Sequence, residues 1–316
     1  MLVGCGSGER AQRAEYAVFG TRVEIVVRDA DAAKTTAAFR DTGALLQRLH
    51  RELHPWEDGD LMALNAALAA GRSIRTTPAI AELIRVGQRL ERASEGAFNP
   101  AIGRAVSLWG FHTSDYPITE PPPSDAEIDA LVFARPSMRD LELDGLRVAS
   151  ANPAVRLDFS GLAKGYAVRE ACRTILGHGI ESALVNAGGD VLVCGAGSGP
   201  WRVAIRDPGG GVLETLTVER PLAVFTSGND YRYGEFDGAR YAHILDPATA
   251  RPVDEVIQAT VVAPDPLLAD AAATALVVAG SGRWRSVAAR LGVARAVVVG
   301  ADGKLGRIDD GAHGTR

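Results

Sequence analysis

Apolar and polar positions alternate over 16–28, most regularly from Thr21, and predict a strand entered through a Gly-Thr turn. The period then changes. Over 31–53, Phe39, Leu45, Leu46 and Leu49 fall on one side of a long helix that His54-Pro55-Trp56 breaks. A short helix starts at Gly59-Asp60 and ends near the Ala-Gly at 70–71. Ile80, Leu83, Ile84, Val86 and Leu90 mark an amphipathic helix over 78–94, closed by Glu95-Gly96. Ala97-Phe98-Asn99-Pro100 is a loop, and an apolar segment runs on through Trp109-Gly110-Phe111. Residues 112–124 are loop-like, with Pro117 and Pro121-Pro122-Pro123. Ser124-Asp-Ala-Glu127 is a capping-box signature for the short helix that follows. This proline-rich stretch reads as a surface excursion within one domain, because neither side looks complete alone.

The stretch that organises the chain is 155–167. Val155, Leu157 and Phe159 alternate as a strand end, with Asp158 on the opposite face. Ser160-Gly161 turns, and helical spacing begins at Leu162, with Ala163, Tyr166, Ala167 and Ala171 near one face and an end at Gly177-His178-Gly179. Short strand signals follow at 182–186, 191–194, 201–206, 213–218 and 222–226, separated by glycine turns that favour antiparallel connections. Strand 257–263 runs into Asp265, an N-cap, and Pro266, the first position of a helix through 279. Helix 283–291 and strand 294–299 complete the pattern. Helices and antiparallel strands without regular βαβ alternation predict an α+β fold of mixed, largely antiparallel sheets packed with helices. The expected organisation is a tether over 1–15, a single domain over 16–300 and a polar tail over 301–316.

Composition narrows the function classes. At 316 residues, with 47% hydrophobic and 23% charged positions, the chain can bury a sizeable core. A net charge of −5 argues against general nucleic-acid binding. No apolar run is long enough to span a membrane. Three cysteines make no disulfide framework, and Cys172 and Cys194 read as buried thiols in apolar patterns. Leu2-Val-Gly-Cys5 resembles a bacterial lipobox, whose cysteine is acylated. That reading expects a periplasmic protein held to the inner membrane by a lipid at Cys5; a chance match would leave the protein cytoplasmic.

Several residue groups can carry chemistry, and each has a plainer alternative. The strand-to-helix turn gathers Asp158, Gly161 and Lys164 where free N–H groups and a positive dipole end suit phosphate. Only Lys34, Lys164 and Lys304 are lysines among the 34 basic residues, which sets Lys164 apart, although it can equally be a solvated helix-start lysine. Asp270 and Thr274 lie four apart on one helix face. With a backbone carbonyl they are hard ligands of the kind Mg²⁺ takes, or else a dipole-favoured carboxylate and a hydroxyl bonding back to its own helix. His243 stands at a strand end and is either a general base or a structural histidine. Asn186 to Asp190 contains paired glycines that allow a close ligand or simply turn a hairpin. Trp56 and Phe98 can stack on a ligand or fill core. Neither a Rossmann nor a Walker sequence is present. Thr226-Ser227-Gly228 lacks a triad pattern, so Ser227 is not read as a hydrolase nucleophile.

Taken in order, these segments resemble the FAD:protein FMN transferase family, the ApbE-like flavin transferases. The resemblance covers roughly 16–300. It rests on Phe19-Gly-Thr, the Trp56 loop with Asn65, Gly96 to Pro100 leading to Leu108-Trp-Gly110, Asp158 to Tyr166, and Asn186 to Asp190. Thr226-Ser-Gly228, His243-Ile-Leu-Asp-Pro247 and Ala269-Asp270 to Thr274 continue it. The family moves FMN from FAD to a threonine or serine of an acceptor protein, releases AMP and requires Mg²⁺. The resemblance therefore implies Mg²⁺ on Asp270, Thr274 and the Gly161 carbonyl. It implies FAD contacts from Phe19, Trp56, Ala97, Phe98, Asn99, Asp158, Lys164 and Leu245, and it gives His243 the place of the base. It also implies an extracytoplasmic electron-transfer protein as acceptor. Phe19 stands where methionine is usual, Asn99 where aspartate is common, and Ala250 where glycine usually follows the His-x-x-Asp-Pro turn. The first two changes lead to an expectation of altered affinity. A Mg²⁺-dependent FAD pyrophosphatase and a non-catalytic flavin-binding protein are the alternatives.

Overall fold

The computed structural model describes residues 11–197, 199–229 and 232–309; Cys5 and its motif lie outside them. An 8-stranded sheet runs in the order Ala11–Val18, Thr21–Arg28, Ser182–Ala187, Asp190–Gly195, Leu222–Gly228, Val256–Ala263, Arg295–Gly300, Leu305–Asp309. Every neighbouring pair in it is antiparallel. The helices are α1 (Ala32–Glu52), α2 (Asp60–Ala69), α3 (Pro78–Ala93), α4 (Gly103–Leu108), α5 (Asp125–Ala134), α6 (Ala163–Gly177) and α7 (Pro266–Leu291). This is the α+β arrangement that the sequence predicts.

Both faces of the sheet are covered, so its central strands read as nearly continuous apolar runs. On one face α6 packs between α1 and α7, and α7 lies along the Leu222–Gly228 and Val256–Ala263 strands. On the other, a separate ribbon of Trp201–Arg206 and Val212–Val218 seats Trp201, Val203, Ile205, Leu216 and Val218 against Val26, Leu184, Val193 and Val262. The two ribbon strands are legible in the sequence. Their removal from the main sheet is not, because one alternating strand looks the same in either place. A smaller cluster joins Trp109, Phe111, Ile118 and Ile128 to Leu245 and Ala250, so the proline-rich excursion packs back onto the domain.

The helix ends follow their caps. Asp265 accepts from the Leu267 N–H at 3.0 Å and Pro266 occupies the first turn. Ser124 and Glu127 close the capping box at the start of α5. The two helices expected at 266–279 and 283–291 form one element broken at Gly280, whose φ of 68° is left-handed. The Glu255 carboxylate then accepts from the Ser281 N–H at 2.9 Å and restarts the helix.

Four expectations need correction. The first strand begins at Ala11, inside the expected tether; its small alanines give weak alternation, and pairing with Thr21–Arg28 supplies its order. The tail expected from 301 contains the strand Leu305–Asp309, a mostly exposed edge with only Ile308 turned toward the core. Cys172 and Cys194 are not free thiols: α6 lies across the Asp190–Gly195 strand, and a disulfide joins them with Cα atoms 5.7 Å apart. Both cysteines are buried, which is why their apolar patterns pointed to thiols in a core.

The fourth correction concerns the organising stretch. Val155, Leu157 and Phe159 are all fully buried, as the alternation requires, yet they form no strand of the sheet. Neighbours from elsewhere satisfy this extended backbone. Asn65, on α2, accepts from the Leu157 N–H at 2.7 Å and donates to its carbonyl at 2.9 Å. The Arg156 and Asp158 N–H groups donate to the Ala101 and Pro100 carbonyls at 3.2 and 2.8 Å. A side-chain amide has taken the place of a strand neighbour, which periodicity cannot reveal.

Candidate active site

The site is a cleft of about 830 Å³ at one side of the sheet, within the size range of cofactor pockets. Phe19, Trp56, Ala97, Phe98, Asn99, Asp158, Gly161, Lys164, His243, Leu245, Asp270 and Thr274 all line it. The structure thus brings together residues as distant in sequence as Phe19 and Thr274, on six separate segments.

Its floor is the turn into α6. Lys164 stands in the first turn of that helix and forms an ion pair with Asp190, which begins the adjoining strand. Burial works against the ammonium, but Asp190 and then Asp270 outweigh it and hold the Lys164 pKa above its ordinary value. Asp190 also accepts from the Thr226 N–H at 2.8 Å, so one carboxylate joins α6 to two strands. Lys164→Met would leave Asp190, 4% exposed at its side chain, without its cation. We expect a loss of about 3 kcal/mol in stability, partly recovered in Lys164→Met/Asp190→Asn. Urea unfolding of the single and double variants checks this, and additive losses would rule out the coupling.

Asp270 and Thr274 face this floor from α7. The Asp270 carboxylate is 4% exposed and accepts from the Gly165 N–H at 2.8 Å. Burial raises its pKa; Lys164 opposes the shift and Asp190 adds to it. The Thr274 hydroxyl is 2.9 Å from that of Ser227. A Cβ on Gly161 would lie 3.4 Å from Thr274 Oγ1, so the Gly161 backbone closes on the same point. Among the described residues no group of three or more His, Cys, Asp or Glu side chains is placed to hold a metal ion. One carboxylate, one hydroxyl and a nearby carbonyl nevertheless fit the way Mg²⁺ is held, with waters and substrate phosphates completing the shell.

Phe19 and Trp56 line the cleft, and imidazole rings connect and back them. Phe19 sits in the β-turn at φ 55° with its N–H donating to His50 Nδ1 at 3.2 Å. Rings then follow one another from Phe19 to His50, His54, Trp56 and His112, with Trp56 stacked on His112 at 5.4 Å. His112 Nε2 ends the row 3.0 Å from Asp158 Oδ2. Burial raises the Asp158 pKa, but His112 and the Ser160 hydrogen bonds prevail and hold it below the usual carboxylate range. Sequence reasoning missed His112, because its role lies behind Trp56 and beside a residue 46 positions away.

Asn99 lines the cleft with its amide already engaged. It donates to the Pro136 carbonyl at 2.9 Å and accepts from the Ala101 N–H at 2.9 Å. An aspartate there would set a carboxylate against the Pro136 carbonyl, so asparagine suits this loop. Ala250 adopts φ 52°, the left-handed region where glycine costs least. Ala250→Gly is therefore expected to stabilise the protein by about 0.5–1 kcal/mol; an unchanged or lower urea midpoint would contradict this.

His243 is half-buried, and its Nδ1 lies 3.0 Å from the Arg232 carbonyl. A carbonyl only accepts, so Nδ1 carries the proton and Nε2 keeps its lone pair. Burial first, then the Arg232 guanidinium, lower its pKa to about 4. It is an uncharged base at neutral pH. Together the cleft offers cations and the positive end of α6 for phosphate, hard oxygen donors for a metal, rings for stacking and a neutral imidazole for a proton.

Comparison with known proteins gives the family. Residues 19–298 match the ApbE family. The chain belongs to that family. An FAD:protein FMN transferase of Rhodobacter capsulatus is 42% identical over 292 residues, 92% of this chain and 55% of the relative, so the chain spans about half of that protein's length. The Klebsiella pneumoniae FAD:protein FMN transferase is 31% identical, over 89% of this chain and 82% of its own. Among solved structures, the ApbE protein of Thermotoga maritima superposes with a TM-score of 0.86 at 28% identity, covering 95% of this chain and 97% of its own. The flavinyl transferase ApbE of Pseudomonas stutzeri gives 0.81 at 29% identity, with 95% and 94% covered. As an ApbE-family protein, the chain carries the fold that its ordered motifs imply.

Proposed function

We propose that this ApbE-family protein transfers FMN from FAD to a threonine or serine hydroxyl of an acceptor protein and releases AMP. The observation that carries the reading is the meeting of His243, Lys164, Asp270 and Thr274 in one cleft large enough for a dinucleotide. The relatives' names support it.

The acceptor hydroxyl oxygen attacks the FMN-side phosphorus. A new P–O bond forms, the bond from that phosphorus to the bridging oxygen breaks, and AMP leaves with the electron pair. His243 Nε2 takes the hydroxyl proton, while the Arg232 carbonyl holds Nδ1–H and with it the ring. Lys164 and the first turn of α6 place fixed positive potential under the phosphates. Trp56 and Phe98 offer faces to the flavin or adenine ring. We assign Asp270, Thr274 and the Gly161 carbonyl as the Mg²⁺ ligands; bound there, the ion supplies neutralisation of charge developing on phosphate oxygens.

The test is incubation with FAD and Mg²⁺, with and without a protein carrying an acceptor threonine, read by intact mass and in-gel flavin fluorescence. A gain of one FMN on the acceptor, coupled to AMP, is expected. AMP and free FMN in equal amounts with or without acceptor would replace this reading with FAD hydrolysis.

We further propose that the protein works outside the cytoplasm, lipid-anchored at Cys5, with an extracytoplasmic electron-transfer protein as acceptor. The Cys172–Cys194 disulfide supports an oxidising compartment. Among the described residues no helix is long and apolar enough to cross a membrane.

A further inference from the structure

The three buried carboxylates of the cleft already have partners. Lys164 has Asp190, and Asp158 has His112. Asp270, the other buried carboxylate, accepts from the Gly165 N–H. Arg232, which immediately precedes the strand Tyr233–Phe236, lines the same cleft and is half-buried. Among the described residues no carboxylate pairs with it. Its guanidinium reaches over the first hairpin turn, 3.1 Å from where a Cβ on Gly20 would stand, and lies 6.0 Å from the Tyr116 ring. Its own carbonyl receives the Nδ1–H of His243. A half-buried guanidinium without an anion, facing a cleft beside a base, is an anion site in chemical terms.

We propose that Arg232 is the residue that grips the donor's diphosphate, and that it sets the scissile phosphorus beside His243. This deepens the transfer reading and rests on it. One residue then does two things with opposite ends. Its carbonyl fixes which imidazole nitrogen is free, and its forked N–H groups hold non-bridging phosphate oxygens at that nitrogen's side. As the acceptor oxygen bonds to the FMN-side phosphorus and the bridging P–O bond breaks, charge grows on oxygens that the guanidinium faces, and the proton passes to Nε2. The cation also favours a neutral imidazole: its charge is among the causes that hold the His243 pKa low. Base and clamp are thereby carried as a unit on one short segment, while Lys164 comes from α6. Arginine suits this place better than lysine, because its planar fork matches two phosphate oxygens at once.

Binding of FAD and of riboflavin, which has the ring system but no phosphate, separates this role from a structural one. Both are titrated by fluorescence, without Mg²⁺, into the wild-type protein, Arg232→Gln and Arg232→Lys. Arg232→Gln is expected to weaken FAD binding roughly tenfold to a hundredfold and to leave riboflavin within about twofold. Arg232→Lys, which keeps the charge and loses the fork, is expected to bind FAD within about fivefold of wild type and to release AMP at least about tenfold more slowly once Mg²⁺ and acceptor are added. Unchanged FAD affinity in Arg232→Gln overturns the proposal, and so does an equal loss for FAD and riboflavin. If Arg232→Gln does not fold, AMP release at the wild-type rate in Arg232→Lys overturns it instead. The binding comparison needs neither acceptor nor metal. A wild-type protein that binds FAD through Arg232 but never labels an acceptor would refute the transfer reading and leave this one standing.

Discussion

Asp270→Asn is expected to lower Mg²⁺-dependent AMP release about a thousandfold while the far-ultraviolet spectrum stays native. The substitution keeps the shape and one oxygen, so the 2.8 Å bond from the Gly165 N–H can persist. What it removes is charge. Asp270 is the carboxylate of the assigned donor set, and Thr274 and the Gly161 carbonyl contribute none. Without it the donor set is a hydroxyl and neutral carbonyl oxygens, too weak a set to hold Mg²⁺ against water. Burial that raises the Asp270 pKa also means the neutral side chain costs little fold stability. Loss of turnover should therefore appear without loss of stability, and isothermal titration should show Mg²⁺ binding gone. Turnover within tenfold of wild type at saturating Mg²⁺ would remove Asp270 from the metal site.

The second large effect is at His243. His243→Gln keeps a donor toward the Arg232 carbonyl but supplies no base, and a loss of about a thousandfold in transfer rate is expected with FAD affinity little changed. The pH profile gives a sharper check. The folded-state pKa is about 4, below the usual 6.5. The neutral, active form therefore persists from neutral pH down to about 5, and the His243-linked rate should be half lost near pH 4. The sign for stability is the same. Between pH 6.5 and 4 the unfolded chain binds a proton that the folded chain refuses, so stability falls as pH drops through that window. A rate limb near 6.5 that vanishes in His243→Gln would show a solvated histidine and contradict this environment.

Much of this was legible in the sequence, and the reasons are local. Caps at Asp265 and Ser124, the period-3.6 stripe of α3 and the glycine break in α7 act through residues a few positions apart. The strand pattern was also legible, but not the partners. Nothing in 201–218 says that this ribbon leaves the main sheet to cover its back. Nothing in the apolar patterns around Cys172 and Cys194 says that α6 crosses that strand in disulfide range. The site divides the same way. His243 and the Asp270–Thr274 pair stand out by residue type and spacing, and family resemblance names their neighbours. Arg232 and His112 do not stand out, because each acquires meaning only from groups brought in by the fold: a turn at Gly20 and a carboxylate at Asp158.

The replacement of a strand neighbour by Asn65 has a consequence for how this protein tolerates variation. A sheet ladder spreads the alignment of a segment over many backbone bonds, and no single side chain governs it. Here the segment that ends at Asp158 and turns into Lys164 takes two of its bonds from one amide. Aspartate at 65 would accept twice and donate nothing, and glutamine would push the segment by a methylene. A position outside the cleft, with no chemistry of its own, thus controls the alignment of the turn that carries Lys164. Random mutagenesis scored for activity should mark Asn65 as strongly as a residue that touches substrate, and a neutral drift of this sequence would keep that amide long after surface positions had changed.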